Sequence, residues 1–326
     1  MLQLETLKLL ADGKAHSEKE LMKSLGLPGP MLSKYIRKLR KLGIKVEFSS
    51  HQGYQLSCSI EFLDAQKISN KLRTSIADRI HRLEVFPELD STNTYLLNAP
   101  KPDLGQMTVC LAEHQSAGRG RYGKKWSVPF GGGLCLSVGW LFNELPQKIS
   151  ALSLSVAVVA RQVIGELTGC YPLVKWPNDL VWEDQKLGGI LIETSGENEN
   201  ALHVVVGIGI NVSINPTYLK KICDWPEGAI DMNSMVKGQF SKNELASRLI
   251  EGFFETLKTY GSLGFGLHHE QFISAHYLNG REVVLSNGSS ELSGTVVTVD
   301  LDGALVLETG SGVRRVVTGE VSLRSS

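Results

Sequence analysis

Four short clusters carry residue types suited to chemistry rather than to filling a core. The segment Gly118-Arg119-Gly120-Arg121-Tyr122-Gly123-Lys124-Lys125-Trp126 joins three glycines to four cations. Glycine lets the backbone approach a ligand closely, guanidinium groups offer forked donors to phosphate or carboxylate, and Trp126 can cover an apolar or aromatic group. A solvated flexible loop or a nucleic-acid patch would carry the same residues. The second cluster is Lys175-Trp176-Pro177-Asn178-Asp179-Leu180, followed by Lys186-Leu187-Gly188-Gly189-Ile190. A Pro-Asn-Asp turn sets polar groups at a sheet end, and Lys186 opens the next strand, so both can face one cavity. An ordinary hairpin uses the same turn residues.

The third cluster is Val204-Val205-Val206-Gly207-Ile208-Gly209-Ile210-Asn211-Val212. Continuous β-branched residues predict a strand buried on both faces. Its glycines permit close approach, and Asn211 needs a polar partner or is a structural amide in a core strand. The dinucleotide fingerprint is excluded, because no third glycine opens a helix. The fourth cluster, Asp90-Ser91-Thr92-Asn93-Thr94, offers small polar groups to a urea- or amide-like ligand, or is a plain helix cap. No GxxxxGK[ST] loop, GxSxG elbow, HExxH or kinase signature occurs, which weakens P-loop and hydrolase readings.

These clusters need a scaffold. A chain of 326 residues, 42% hydrophobic and 21% charged, suits two or three globular domains. Lys plus Arg equals Asp plus Glu at 34 each, so charge has to be read locally. Cys58, Cys110, Cys135, Cys170 and Cys223 are scattered, without zinc spacing, which predicts reduced thiols and a cytoplasmic setting. The N-terminus has no signal-peptide pattern, and the apolar run 151–160, broken by Ser153 and Ser155, is expected to be too short for a bilayer.

From about 80 to 215, strand-like segments (107–113, 134–140, 173–176, 180–183, 189–193, 203–212) surround a buried helix over 152–167. They predict a mixed sheet in an α/β or α+β domain. Helices are expected over 242–260 and 268–277. Short β runs at 282–285, 294–299, 304–307 and 313–317, with turn signals at Asn287-Gly288 and Asp302-Gly303, suit a small SH3-like barrel. Residues 58–70 read as a connector.

The first sixty residues differ. Leu2, Leu7, Leu9 and Leu10 suit an opening helix, and Ser17 with Glu20 forms a capping box for a second over 18–25. After Gly26 and the rigid Pro28-Gly29-Pro30 turn, a third helix carries Leu32, Ile36, Leu39 and Leu42 on one face. Lys34, Arg37, Lys38, Arg40 and Lys41 lie on the others. Two extended runs, 44–48 and 54–56, follow. The order is that of a winged helix-turn-helix; a solvated basic helix on any small bundle is the plainer alternative.

Taken in order, the clusters resemble the biotin–protein ligase family: GRGR-x-G-x-x-W at 118–126, KWPNDL at 175–180, K-L-x-G-I-L at 186–191 and G-x-G-I-N at 207–211. With the N-terminal unit, the chain resembles the bifunctional subgroup, the biotin operon repressors. The resemblance implies an α+β multidomain chain. Residues 1–62 would form the winged helix-turn-helix, 63–274 a class II synthetase-like mixed α/β catalytic domain, and 275–326 the SH3-like domain. It implies activation of biotin by ATP, with Mg2+, to biotinyl-5'-AMP, then transfer to a lysine of a biotin carboxyl carrier protein of acetyl-CoA carboxylase. It further implies a homodimer on operator DNA with the adenylate as corepressor, and no membrane partner. Ser91, Thr92, Asn93, Gln115, Arg119, Gly120, Arg121 and Lys186 would hold biotin. Trp126, Asn178, Asn211, Trp225, Glu320 and Arg324 would line the nucleotide site. Lys186, Arg121 and Asp179 would be catalytic, no residues are expected to hold a metal, and Ser33, Lys34, Arg37, Lys38 and His51 would meet DNA. Alternatives are a lipoate-type acyl-adenylating ligase and a biotin-responsive transcription factor without ligase activity.

Overall fold

A computed structural model of the chain describes residues 2–41, 43–56, 60–144, 149–198, 201–220, 225–236, 240–287 and 290–323. Leu42, Cys58, Cys223, Gly288 and Arg324, singled out above, lie outside the described residues.

The chain begins with α1 (Leu2–Leu10), α2 (Glu18–Leu25) and α3 (Gly29–Lys41), then the hairpin of β1 (Val46–Ser49) and β2 (Gly53–Leu56). Ser17 caps α2 with its hydroxyl on the Glu20 amide, while the Glu20 side chain returns to the Ser17 amide. Gly26 stops the helix at φ 63°, a left-handed conformation that costs a glycine little. Leu32, Ile36 and Leu39 bury one face of α3 against Leu7, Leu10, Leu21, Tyr54 and Leu56. Arg40 is spent internally, donating from Nε and Nη2 to the Val46 carbonyl at 3.1 and 2.8 Å.

The connector is shorter than expected. Asp64 accepts from the Lys67 amide and starts α4 (Ala65–Ser69), which is followed by α5 (Thr74–Ala77). Next come β3 (Ile80–Phe86), α6 (Thr92–Asn98), β4 (Met107–Ala112), β5 (Gly133–Phe142), α7 (Leu152–Thr168), β6 (Leu173–Lys175), β7 (Asp179–Trp182), β8 (Gln185–Asn198) and β9 (Ala201–Asn211). The seven strands form one sheet in the order β3-β4-β5-β9-β8-β7-β6, parallel only between β3 and β4. Strand β3 escapes a periodicity reading because its side chains are only partly buried.

Helix α7 corrects the bilayer argument. With the 3-10 turn before it, it spans 20 residues and is long and apolar enough to cross a membrane, yet 67% of its apolar window is buried in the protein. It packs on α10 and the sheet as a core helix. Its serines do not interrupt it; Ser153 donates to the Pro177 carbonyl at 2.9 Å and so ties the helix to the Pro-Asn-Asp turn.

After α8 (Pro216–Leu219), α9 (Met232–Met235), α10 (Lys242–Leu263) and α11 (His269–Ala275), the chain enters β10 (Glu282–Asn287), β11 (Ser290–Val299), β12 (Leu305–Thr309), β13 (Gly312–Val316) and β14 (Glu320–Leu323). These make an antiparallel sheet ordered β13-β12-β11-β10-β14. Strand β14 has no apolar run to reveal it. The sheet does not keep a separate core: Val283, Leu285, Val296 and Leu305 join the same apolar cluster as α7 and α10. The Trp176 indole donates to the Gly303 carbonyl at 2.9 Å, fastening the hairpin turn at Asp302-Gly303 beneath the second cluster.

Candidate active site

A cavity of about 360 Å3 opens above the sheet where all four clusters meet. One wall is the start of α6. Ser91 caps the helix, accepting from the Thr94 amide, so the plain reading of the fourth cluster holds; Thr92 and Asn93 nevertheless face the cavity. Gln115 accepts from the Thr92 amide and hydroxyl at 2.8 and 3.0 Å. The Ser137 hydroxyl lies 2.7 Å from Thr92 Oγ1 and 2.6 Å from Asn93 Oδ1. The Asn93 amide nitrogen donates to the Leu191 carbonyl and to Glu193, and Glu193 also receives Arg119 at 2.8 Å. One chain of hydrogen bonds therefore runs from Gln115 through Thr92, Ser137, Asn93 and Glu193 to Arg119 and orients those side chains. Ser137 is absent from the sequence-based site; a buried serine in the apolar strand Leu134–Trp140 was its only signal.

Strand β9 forms the floor, and its glycines are there for space. A Cβ on Gly207 would lie 2.2 Å from Asn93 Oδ1, and one on Gly209 would lie 2.3 Å from the Trp126 ring. Trp126 packs directly on the strand, beside Cys135 and Val128. Asn211 does not border the cavity. It is 2% exposed, and its amide donates to the carbonyls of Ile230 at 3.0 Å and Lys186 at 3.3 Å. It holds the Lys186 backbone from behind.

The opposite wall is cationic. Lys186 Nζ sits 2.7 Å from Asp179 Oδ1. Gly189 lies beside the pair, where a Cβ would be 3.1 Å from that oxygen. Asn178 and Ile190 exchange hydrogen bonds: the Asn178 side-chain amide donates to the Ile190 carbonyl at 2.7 Å, and the Ile190 N–H to the Asn178 carbonyl at 2.9 Å. Lys175, only 9% exposed, joins this wall although the sequence reading gave it no role. Its Nζ lies 3.8 Å from the centre of the Trp225 ring, and Lys186 Nζ lies 5.5 Å from it. Burial pushes the Lys175 ammonium down to about 8; nearby Asp179 opposes that shift and Lys186 adds to it.

The glycine-rich loop crosses the mouth. Tyr122 adopts φ 52°, turning the loop so that its hydroxyl meets Thr318 Oγ1 at 2.8 Å. Arg121 lies over the Tyr122 ring, 5.0 Å from its centre. Lys124 pairs with Glu320 at 2.9 Å. The C-terminal sheet thus lends Glu320, Gly319 and Ser286 to the cavity, a contribution that sequence spacing could not reveal for Gly319 and Ser286. Arg119, Gly120, Arg121, Asn178, Asp179, Lys186, Trp126 and Trp225 all line it. Among the described residues no group of three metal-ligating side chains converges. Ser33, Lys34, Arg37, Lys38 and His51 lie apart from the cavity, in the N-terminal unit; Lys34, Arg37, Lys38 and His51 are exposed.

Comparison with known proteins points to one family. Residues 85–211 match the Biotin/lipoate A/B protein ligase family and residues 279–324 the Biotin protein ligase C terminal domain. The Bifunctional ligase/repressor BirA of Salmonella typhimurium is 34% identical over 323 residues, 99% of this chain and 98% of that protein. Its Escherichia coli counterpart is 33% identical over 99% of this chain and 97% of its own length. Among solved structures, the biotin protein ligase of Aquifex aeolicus in complex with biotin and ATP aligns with a TM-score of 0.63 and 28% identity, covering 76% of this chain and all of that one. With identity sustained across its whole length, and with the family's motifs gathered around one cavity, the chain belongs to the biotin protein ligases and is a relative of the bifunctional ligase/repressors.

Proposed function

We propose that the cavity joins biotin to ATP as biotinyl-5'-AMP and then passes the biotinyl group to a lysine of a biotin carboxyl carrier protein. The observation that carries this reading is the pair Lys175 and Lys186 gathered beneath Trp225, with Asp179 ion-paired to Lys186 and acting on Lys175 through space. Two ammonium groups against one carboxylate leave positive charge where two anions have to meet. The biotin carboxylate attacks the α-phosphorus, pyrophosphate leaves, and Lys186 with Arg121 offsets the charge that gathers in the transition state. The acceptor amine then attacks the acyl carbon, an amide forms, and AMP departs. Mg2+ arrives on the triphosphate as part of the substrate, in keeping with its preference for phosphate oxygens and water over an all-protein cage.

Ser91, Thr92, Asn93, Gln115, Arg119 and Gly120 are the biotin wall. Thr92 and Gln115 hydrogen-bond each other, and Asn93 and Arg119 meet on Glu193, so the ureido group meets oriented donors and acceptors. Trp126, Asn178, Trp225 and Glu320 border the nucleotide, with Asn211 behind them, and Arg324 is assigned there from the family pattern. Asp179 positions the acceptor lysine. The loop 118–126, pinned to Thr318 and Glu320, is the lid that keeps water from the mixed anhydride.

The N-terminal unit, proposed as a winged helix-turn-helix over 1–62, presents Ser33, Lys34, Arg37 and Lys38 to a major groove and His51 to the backbone from the wing. The catalytic domain spans 63–274 and is class II synthetase-like; the SH3-like domain spans 275–326. Two adenylate-loaded chains would dimerise and align two α3 helices on a palindromic operator, a coupling that belongs in the cytoplasm with ATP and DNA. Its support is that the named ligase/repressors match 99% of this chain, whereas the Aquifex ligase is spent on 76%.

Mass spectrometry of a biotin acceptor domain incubated with the chain, ATP and biotin tests the ligase: a biotinyl mass gain is expected, and none, or a gain with lipoate instead, overturns it. A gel shift on biotin-operon DNA should strengthen with biotinyl-5'-AMP; a ligand-independent shift defeats the coupled-repressor reading. Arg121→Gly should keep the fold and release the adenylate early, labelling bystander lysines; full retention would sink the lid.

A further inference from the structure

Trp225 is anchored by groups far from it in sequence. Its indole N–H donates to the Asp184 carbonyl at 2.9 Å. Asp184 and its neighbour Glu183 both sit in the left-handed region, at φ 61° and 48°, where a non-glycine turn needs outside support. That support comes from beyond the catalytic sheet. The Tyr277 hydroxyl donates to Asp184 Oδ1 at 2.7 Å, and Arg281 Nη1 reaches the same oxygen at 3.3 Å. Arg281 stacks over the Tyr277 ring, 4.1 Å from its centre. Tyr277 is 4% exposed, and its amide is tied to the Val174 carbonyl at 2.9 Å, one residue before Lys175. The Asp184 carboxyl is held below its ordinary range, first by the Tyr277 hydrogen bond.

The turn and the Trp225 segment are joined along their backbones. Lys186 N–H donates to the Gly228 carbonyl at 3.0 Å, Ile230 N–H to the Lys186 carbonyl at 3.1 Å, and Gln185 Nε2 to the Glu227 carbonyl at 3.2 Å. Whatever fixes Asp184 therefore fixes Trp225 relative to Lys175 and Lys186.

We propose that Asp184, Tyr277 and Arg281 are positioning residues for the nucleotide step: a clamp from the entry of the C-terminal sheet that holds Trp225 over the two site lysines. The proposal rests on the reading of Trp225 as a nucleotide-covering residue. None of the three touches the cavity, so the clamp acts on ATP binding and leaves the biotin wall alone.

Steady-state kinetics on the full chain test it with Trp225→Ala, Tyr277→Phe, Asp184→Ala and Asp184→Asn. Tyr277→Phe and Asp184→Ala should raise KM for ATP roughly tenfold, the effect of losing one charge-assisted hydrogen bond. KM for biotin and kcat at saturating ATP should stay within about twofold of the parent, as expected when only ground-state ATP binding is lost. Asp184→Asn keeps an oxygen for the Tyr277 hydroxyl and should restore most of the affinity. If Trp225→Ala leaves KM for ATP unchanged, the reading of Trp225 as a nucleotide residue falls. If Trp225→Ala raises it and neither Tyr277→Phe nor Asp184→Ala does, the clamp is refuted. A rise in both KM values together would mark a general loosening and also overturn it.

Discussion

The N-terminal helix α3 and the cavity are both rich in lysine and arginine, and they handle those charges in opposite ways. Lys34, Arg37, Lys38 and Lys41 stand exposed on α3, with buried leucines and isoleucine on the other face. In the cavity, Arg119, Lys124 and Lys186 each face one carboxylate at 2.8–2.9 Å or closer: Glu193, Glu320 and Asp179. Exposed cations make a field that acts at a distance and yields to salt. Paired cations are held in one geometry, and Lys186, the one that is also partly buried, waits for a charge that appears only during reaction. Sequence composition alone equates the two; the carboxylate partners, and for Lys186 burial as well, separate them.

The largest test of the contrast removes a paired cation. Lys186→Ala should lower adenylate formation, followed by pyrophosphate exchange, by about 10²- to 10³-fold, while ligand-free DNA binding stays as it was. An unaltered exchange rate would mean that the pairing is structural only.

A second test uses acid. His276 is 7% exposed, pairs with Val174 beside the lysine wall, and neither ring nitrogen has a hydrogen-bond partner among the described residues. Burial pushes its imidazole down to about 4 from 6.5. Between those values the unfolded chain binds the proton and the folded one does not, so stability falls as pH drops from 6.5 towards 4. The loss should approach about 3 kcal/mol at the lower end. Urea unfolding of His276→Phe should show a shallower acid slope than the parent; equal slopes would place the loss elsewhere.

Smaller effects follow at the floor and on α3. Gly207→Ala puts a methyl 2.2 Å from Asn93 Oδ1, so Asn93 has to leave its place between Ser137 and Glu193. Calorimetric titration should show biotin affinity reduced by about 10- to 50-fold. Lys34→Ala with Arg37→Ala should lower the slope of log affinity for DNA against log salt by about two, with biotinylation unchanged. A change in biotinylation of similar size would erase the distinction between the two regions.

Much of this was legible beforehand where the determining physics is local. The α2 capping box, the Gly26 stop and the apolar face of α3 appear within a residue of their expected places, because each depends on neighbours within one or two helical turns. The long apolar run of β9 was equally plain. Strands β3 and β14 were missed because half-buried and edge strands carry little hydrophobic contrast. Asn211 was expected at the ligand; its position in the run showed only that it needed a partner, and the partner proved to be the backbone behind Lys186.

By itself the sequence determined which chemistry was possible: a glycine-rich cationic loop, a Lys-Trp-Pro-Asn-Asp turn and a glycine-spaced strand, each defined by side-chain type at short spacing. Only the tertiary structure decided which of those groups meet. Ser137 reaches Thr92, Glu193 reaches Asn93 and Arg119, Lys175 lies under Trp225, and Glu320 crosses from the C-terminal sheet to Lys124. Those meetings depend on strand order and register, which the whole core sets by burying its apolar surface, and no local run of residues can encode that.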